Sequence, residues 1–171
     1  VNYDYEVEVL LSITGVNTLN GSAIKLGNFT VGDAPTVLMN ASALTGNTVG
    51  MLSDGQTRPT VAINDSQITN SLVCGVSLEG GGSLTVNGTL FQGNWPADFF
   101  TNSRGASAIN LSAAYPYAVS IRNSTFVANG NVSNNNSDRA IRMMGNAASV
   151  FDLGTAADAG NNQFAGNPTY G

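Results

Sequence analysis

The chain has 171 residues, of which only 10% are charged; six Lys or Arg stand against eleven Asp or Glu, for a net charge of −5. The length suits one domain with its own core. Asn, Ser, Thr and Gly replace the missing charge, and these residues compete with a helical backbone for hydrogen bonds but suit turns and stacked polar rows. So few cations exclude the basic patch that a nucleic-acid backbone requires, and no apolar run approaches the ~18 residues of a membrane span.

Residues 3–11 alternate, with Tyr3, Tyr5, Val7 and Val9 on one face and Asp4, Glu6 and Glu8 on the other. Period-two alternation predicts a strand. Residues 1–20 are therefore expected to form an N-terminal extra strand outside the repeat. It either covers the first coil or pairs with another subunit by strand addition.

Residues 21–171 carry the repeat. The segments 37–44, 61–68, 84–91 and 119–126 share one pattern, with apolar residues at the first, third and last positions and Ser or Thr at the sixth. The starts are separated by 24, 23 and 35 residues. Three positions beyond the last apolar residue stand Asn47, Ser71, Asn94 and Asn129, and a decayed fifth copy ends in Phe164 and Asn167. A second strand signal follows each motif, at 49–52, 74–78, 108–111 and 140–143. A coil of about two dozen residues cannot bury its inward side chains alone, so successive coils must stack. Asn47, Asn94, Asn129 and Asn167 are then expected to form a structural ladder at one turn, each amide bonding the next and each Asn accepting the left-handed backbone of a sharp corner.

Two insertions interrupt the rhythm. Residues 95–104 include Trp95, Phe99, Phe100 and Arg104, a candidate contact loop that either binds a glycan or protein surface or folds back on the solenoid. Residues 129–138 read as a solvated polar loop. Cys74, the single cysteine, lies in an apolar run and is expected to be buried. Eight Asn-x-Ser/Thr triplets begin at Asn28, Asn40, Asn64, Asn87, Asn110, Asn123, Asn131 and Asn135, and several coincide with the repeat's own polar step.

The segment 119–130 and the ending Asp152-Leu153-Gly154-Thr155…Gly160-Asn161-Asn162-Gln163-Phe164 resemble the right-handed parallel β-helix repeat proteins of the pectin-lyase-like superfamily, in the form found in secreted bacterial members. The resemblance spans roughly residues 21–167. It implies an all-β, right-handed parallel β-helix of about five to six coils, and the handedness rests on it alone. Superfamily members include lyases and hydrolases, but this chain departs from their sites. It has no histidine, and its carboxylates do not recur at one position of the repeat. Asp152 is expected near Arg122, one coil away, as an ordinary ion pair.

No cofactor or metal is expected: transition-metal ligands are missing and no acidic cluster converges. After Phe164 only a short tail remains, without an amphipathic helix, so the last strand edge is expected to meet a neighbouring subunit or a further domain. The sequence thus favours a non-enzymatic extracellular or cell-surface structural protein, a β-helix subunit or module of a filamentous or adhesive assembly. Its expected partners are copies of itself or adjoining domains joined through strand edges. The alternative is a carbohydrate-binding or polysaccharide-cleaving β-helix that engages glycans through the Trp95 loop.

Overall fold

A computed structural model describes residues 12–14, 22–26, 34–53, 55, 57–94, 107–112, 115–130, 139–144 and 147–167. Three strands and two tight corners make each coil. The strands are β1 (Ser12–Thr14), β2 (Ser22–Leu26), β3 (Thr36–Asn40), β4 (Ala43–Thr45), β5 (Val49–Ser53), β6 (Thr60–Asn64), β7 (Gln67–Thr69) and β8 (Cys74–Leu78). They continue as β9 (Gly82–Asn87), β10 (Leu90–Gln92), β11 (Ser107–Ser112), β12 (Tyr117–Arg122), β13 (Thr125–Val127), β14 (Arg139–Met144), β15 (Val150–Asp152) and β16 (Gln163–Ala165).

Every third strand joins the same sheet. The first sheet runs β1-β4-β7-β10-β13-β16, the second β14-β11-β8-β5-β2 and the third β15-β12-β9-β6-β3, and all pairings are parallel. The molecule is a right-handed parallel β-helix of about five coils. The first sheet already includes Ser12–Thr14, paired in register with Ala43–Thr45, so the stack begins upstream of residue 21. Residues 1–11, with Tyr3, Tyr5, Val7 and Val9, lie outside the described residues.

Alternation within the strands builds the core. In the third sheet Val61, Ile63, Leu84, Val86, Val119 and Ile121 point inward and are buried, while of the alternate residues Thr60, Thr85 and Ala118 are exposed and Ala62 and Ser120 partly so. Parallel in-register pairing places like residues in columns. Leu44, Ile68, Phe91, Phe126 and Phe164 form the column of the first sheet. Its aromatic part is a continuous stack, with ring centroids of Phe91 and Phe126, and of Phe126 and Phe164, both 4.9 Å apart.

The second sheet breaks the alternation, because β5 and β8 are buried along their whole length. Val49, Leu52 and Cys74 form a cluster with Val73 that is separate from the main core. Polar side chains in this sheet satisfy one another: Asn110 Nδ2 donates to Ser77 Oγ at 3.1 Å, and the Cys74 sulfur lies 3.7 Å from Ser107 Oγ.

Candidate functional site

Each coil turns two corners of fixed construction. The corner from third to first sheet uses two residues. The first has positive φ (Ala41, Asp65, Gly88, Asn123, Asn161) and the second is polar (Ser42, Ser66, Thr89, Ser124, Asn162). The polar side chain accepts the backbone N–H of its counterpart one coil earlier: Ser66 Oγ from Ser42 at 3.1 Å, Ser124 Oγ from Thr89 at 3.2 Å, and Asn162 Oδ1 from Ser124 at 3.1 Å. The hydroxyl also donates back two residues, as Ser42 Oγ does to Asn40 O and Ser66 Oγ to Asn64 O, both at 2.7 Å. This bond explains the Asn-x-Ser/Thr triplets at Asn40, Asn64 and Asn87 as a feature of the corner. Asn110, another triplet, is buried inside the second sheet.

The corner from first to second sheet holds an amide ladder. Asn94 Nδ2 donates to Asn129 Oδ1 at 2.8 Å, and Asn129 Nδ2 donates to Asn167 Oδ1 at 3.1 Å. Each amide also donates to the carbonyl of the column residue one coil back: Asn94 to Ile68 O at 2.9 Å, Asn129 to Phe91 O at 3.0 Å, and Asn167 to Phe126 O at 2.8 Å. Asn47 is fully buried at the same corner, where the next coil carries Ser71. The ladder asparagines do not take the left-handed backbone expected of them. The preceding residue does so instead, at Gly46, Asn70, Gly93, Ala128 and Gly166. The physical reason is direction: a left-handed residue just before the ladder position turns the next side chain inward, where its amide reaches both neighbouring coils.

Trp95, Phe99, Phe100 and Arg104 lie outside the described residues. Their insertion departs immediately after ladder residue Asn94 and returns into β11, and the second insertion departs at the same corner after Gly130 and returns into β14. The two-residue corner takes no insertion between β3 and β4, β6 and β7, β9 and β10 or β12 and β13, whereas in the last coil residues 153–160 stand between β15 and the corner pair Asn161 and Asn162.

The conspicuous ionic feature lies at the C-terminal end of the stack. Arg122 Nη2 donates to Asp152 Oδ2 and, at 3.2 Å, to Asp158 Oδ2. Hydrogen bonding from Arg122 holds the Asp152 carboxyl below its ordinary range, so Asp152 stays ionised and is a poor proton donor. The loop between these carboxylates is folded tightly. Gly154 has φ +112°, and a Cβ on Gly160 would sit 2.0 Å from Leu153 O. The Asp-Leu-Gly-Thr…Gly-Asn-Asn-x-Phe ending is therefore a closing device that returns the chain to the two-residue corner at Asn161 and Asn162 and to the Phe column. Burial pushes the Cys74 thiol up to about 12 and the Tyr117 phenol to about 12, which removes both from chemistry near neutral pH. Among the described residues no group of three or more His, Cys, Asp or Glu could hold a metal ion.

Exposed apolar surface is concentrated at this same end. Of the seven large hydrophobic residues exposed among the described residues, Met143, Met144, Val150, Phe151, Leu153 and Phe164 all lie on or beside the terminal strands β14, β15 and β16. The seventh, Tyr115, is covered on one ring face by the Arg58 guanidinium, 3.9 Å from the centroid. The ring of Phe164 is stacked on Phe126 from below yet is 51% exposed. Compared with protein-family models, with curated proteins and with solved structures, the chain gives no match in any of the three.

Proposed function

We propose that this chain is a non-enzymatic structural module of an extracellular or cell-surface assembly, joined to its neighbours through the exposed strand edges at the C-terminal end of its β-helix. The observation that carries this reading is the concentration of exposed large apolar side chains on the terminal strands, beside unextended hydrogen-bonding columns. Contiguous apolar patches rimmed by polar groups mark contact surfaces, and a strand edge offers main-chain hydrogen bonds as well. The low charge, the polar uncharged surface and the resemblance to secreted pectin-lyase-like β-helix proteins support the extracellular setting.

Polysaccharide cleavage is the competing reading, and it requires a carboxyl that can give up a proton beside a second carboxylate. At Arg122 both nearby carboxylates are engaged by one guanidinium, and Asp152 is held ionised. The test is negative-stain electron microscopy over a range of concentrations, with residues 1–11 present or deleted, run beside depolymerisation assays on a polysaccharide panel. End-joined particles without polysaccharide cleavage are expected. Uniform single particles at all concentrations, together with release of reducing ends or unsaturated products, would overturn the proposal.

A further inference from the structure

The coils of Phe126 and Phe164 show what covers the end of the coil before each, whereas the coil of Ile68 carries Ser71 in place of the amide. The next strand of the first sheet brings a large apolar residue onto the column, a polar oxygen two positions earlier and an amide three positions later. The polar oxygen accepts the N–H of the corner residue below, and the amide accepts one N–H and donates to the column carbonyl below. At the terminal coil the groups that would be met in this way are Asn162 N–H, Asn167 N–H and Phe164 C=O. No hydrogen bond extends them further among the described residues, and the Phe164 ring is half exposed above them.

From this we infer that the C-terminal end is an acceptor site for one parallel strand of defined chemistry: Ser, Thr or Asn, then a large apolar residue two positions on, then Asn three positions after that. The inference rests on the structural-module reading and names the partner of its site. An apolar side chain alone would cover Phe164, and the main chain of any parallel strand would meet the Phe164 carbonyl, but only a strand with both polar positions also satisfies the Asn162 and Asn167 N–H groups in a site closed to water, where each unmet group is costly.

The chain's own first strand does not meet this requirement. At the corresponding spacings around Ile13 stand Leu11 and Val16, neither of which has a side-chain hydrogen-bonding group. The register also carries Lys25 through Leu52, Ser77 and Asn110 to Arg142 in a single column. Head-to-tail stacking of two copies would therefore set Lys25 over Arg142, a like-charge pair. The occupant is a strand from a different repeat-bearing segment, and self-association of the bare end is what its absence leaves.

The probe is a fluorescein-labelled peptide with the sequence of residues 120–130, which carries Ser124, Phe126 and Asn129 at the required spacing. It is titrated against the full chain by fluorescence anisotropy. Saturable binding is expected, with at least a tenfold loss for the peptide carrying Phe126→Asp, for the peptide carrying Asn129→Ala, and for the protein carrying Phe164→Asp. Circular dichroism of that protein variant confirms that it is folded, and the exposure of Phe164 makes this the expected result. Saturating peptide should also disperse any end-joined particles. Equal affinity for the intact and altered peptides, or no saturable binding, would overturn the inference. So would end-joined particles that persist at saturating peptide, since the occupant would then be a second copy. Peptide binding by a chain that never self-associates would sustain the inference while counting against self-assembly.

Discussion

Removing one amide from the ladder tests how the corners hold the coils together. Asn129 is fully buried, and its side chain makes four hydrogen bonds: it accepts from Asn94 N at 3.3 Å and Asn94 Nδ2 at 2.8 Å, and donates to Phe91 O at 3.0 Å and Asn167 Oδ1 at 3.1 Å. In Asn129→Ala, Asn94 Nδ2 keeps Ile68 O, and Asn167 Oδ1 keeps the backbone N–H of residue 129. The Asn94 N–H loses its partner inside the coil, while the Phe91 carbonyl gives up its second bond and keeps the Val127 N–H of the parallel ladder. At about 1–3 kcal/mol for the orphaned buried group and up to about 1 kcal/mol for the lost second bond, the cost is about 1–4 kcal/mol, a sizeable fraction of the ~5–15 kcal/mol that holds a typical domain together. For a chain of this size the fall in Tm is of order 5–10 °C. The matched control is Asn64→Ala in the outer row, where Asn64 Nδ2 donates to Asn40 Oδ1 at 2.9 Å near the surface. Water replaces that bond, so the cost should stay below about 1 kcal/mol. Thermal and urea unfolding followed by circular dichroism measure both. A loss below about 0.5 kcal/mol for Asn129→Ala, or equal losses for the two variants, would refute the reasoning.

Ser71 interrupts the ladder, and its Oγ is buried without a partner. Ser71→Asn should gain about 1 kcal/mol by supplying the missing amide; a lower urea midpoint would show that the corner lacks the room. Cys74, with its thiol near 12 and its side chain fully buried, should resist alkylation in the folded chain at pH 8. It should react at the rate of unfolding when urea is added, and rapid modification without denaturant would contradict its placement. The Asp152 carboxyl titrates below its ordinary 3.8 in the folded chain because Arg122 bonds it. The stabilisation is therefore present above pH ~4 and is lost as pH falls through the depressed value. Arg122→Met should lower stability at neutral pH and flatten the acid limb, so that the two stability curves converge at low pH. Parallel curves across the acid range would refute the assignment.

The coils were legible because stacking demands repetition. Val37, Val61, Leu84 and Val119 recur at one position since parallel register sets each above the last, and the Arg122–Asp152 pair follows from the same spacing. The left-handed positions were less legible. Ala41 and Ala128 carry positive φ although alanine gives no local sign of it. What holds them there is tertiary: Ala41 N–H donates to Asn64 O at 3.0 Å and Ala128 N–H to Ala165 O at 2.9 Å, offsetting the roughly 1–2 kcal/mol strain of that conformation. Burial on both faces of the second sheet was also hidden, because Ser77, Ser107 and Asn110 read as surface residues until their mutual hydrogen bonding is seen. The exposed end is a property of the last coil's neighbours and not of its residues: Phe164 obeys the same pattern as the fully buried Phe126.

Sedimentation velocity of the intact chain and of Phe164→Asp over a range of concentrations tests most directly whether the exposed end is a contact surface. The intact chain should sediment faster as concentration rises, and the variant, equally folded by circular dichroism, should remain a single slow species. Identical, concentration-independent behaviour of the two would contradict the assignment of this end as the joining face.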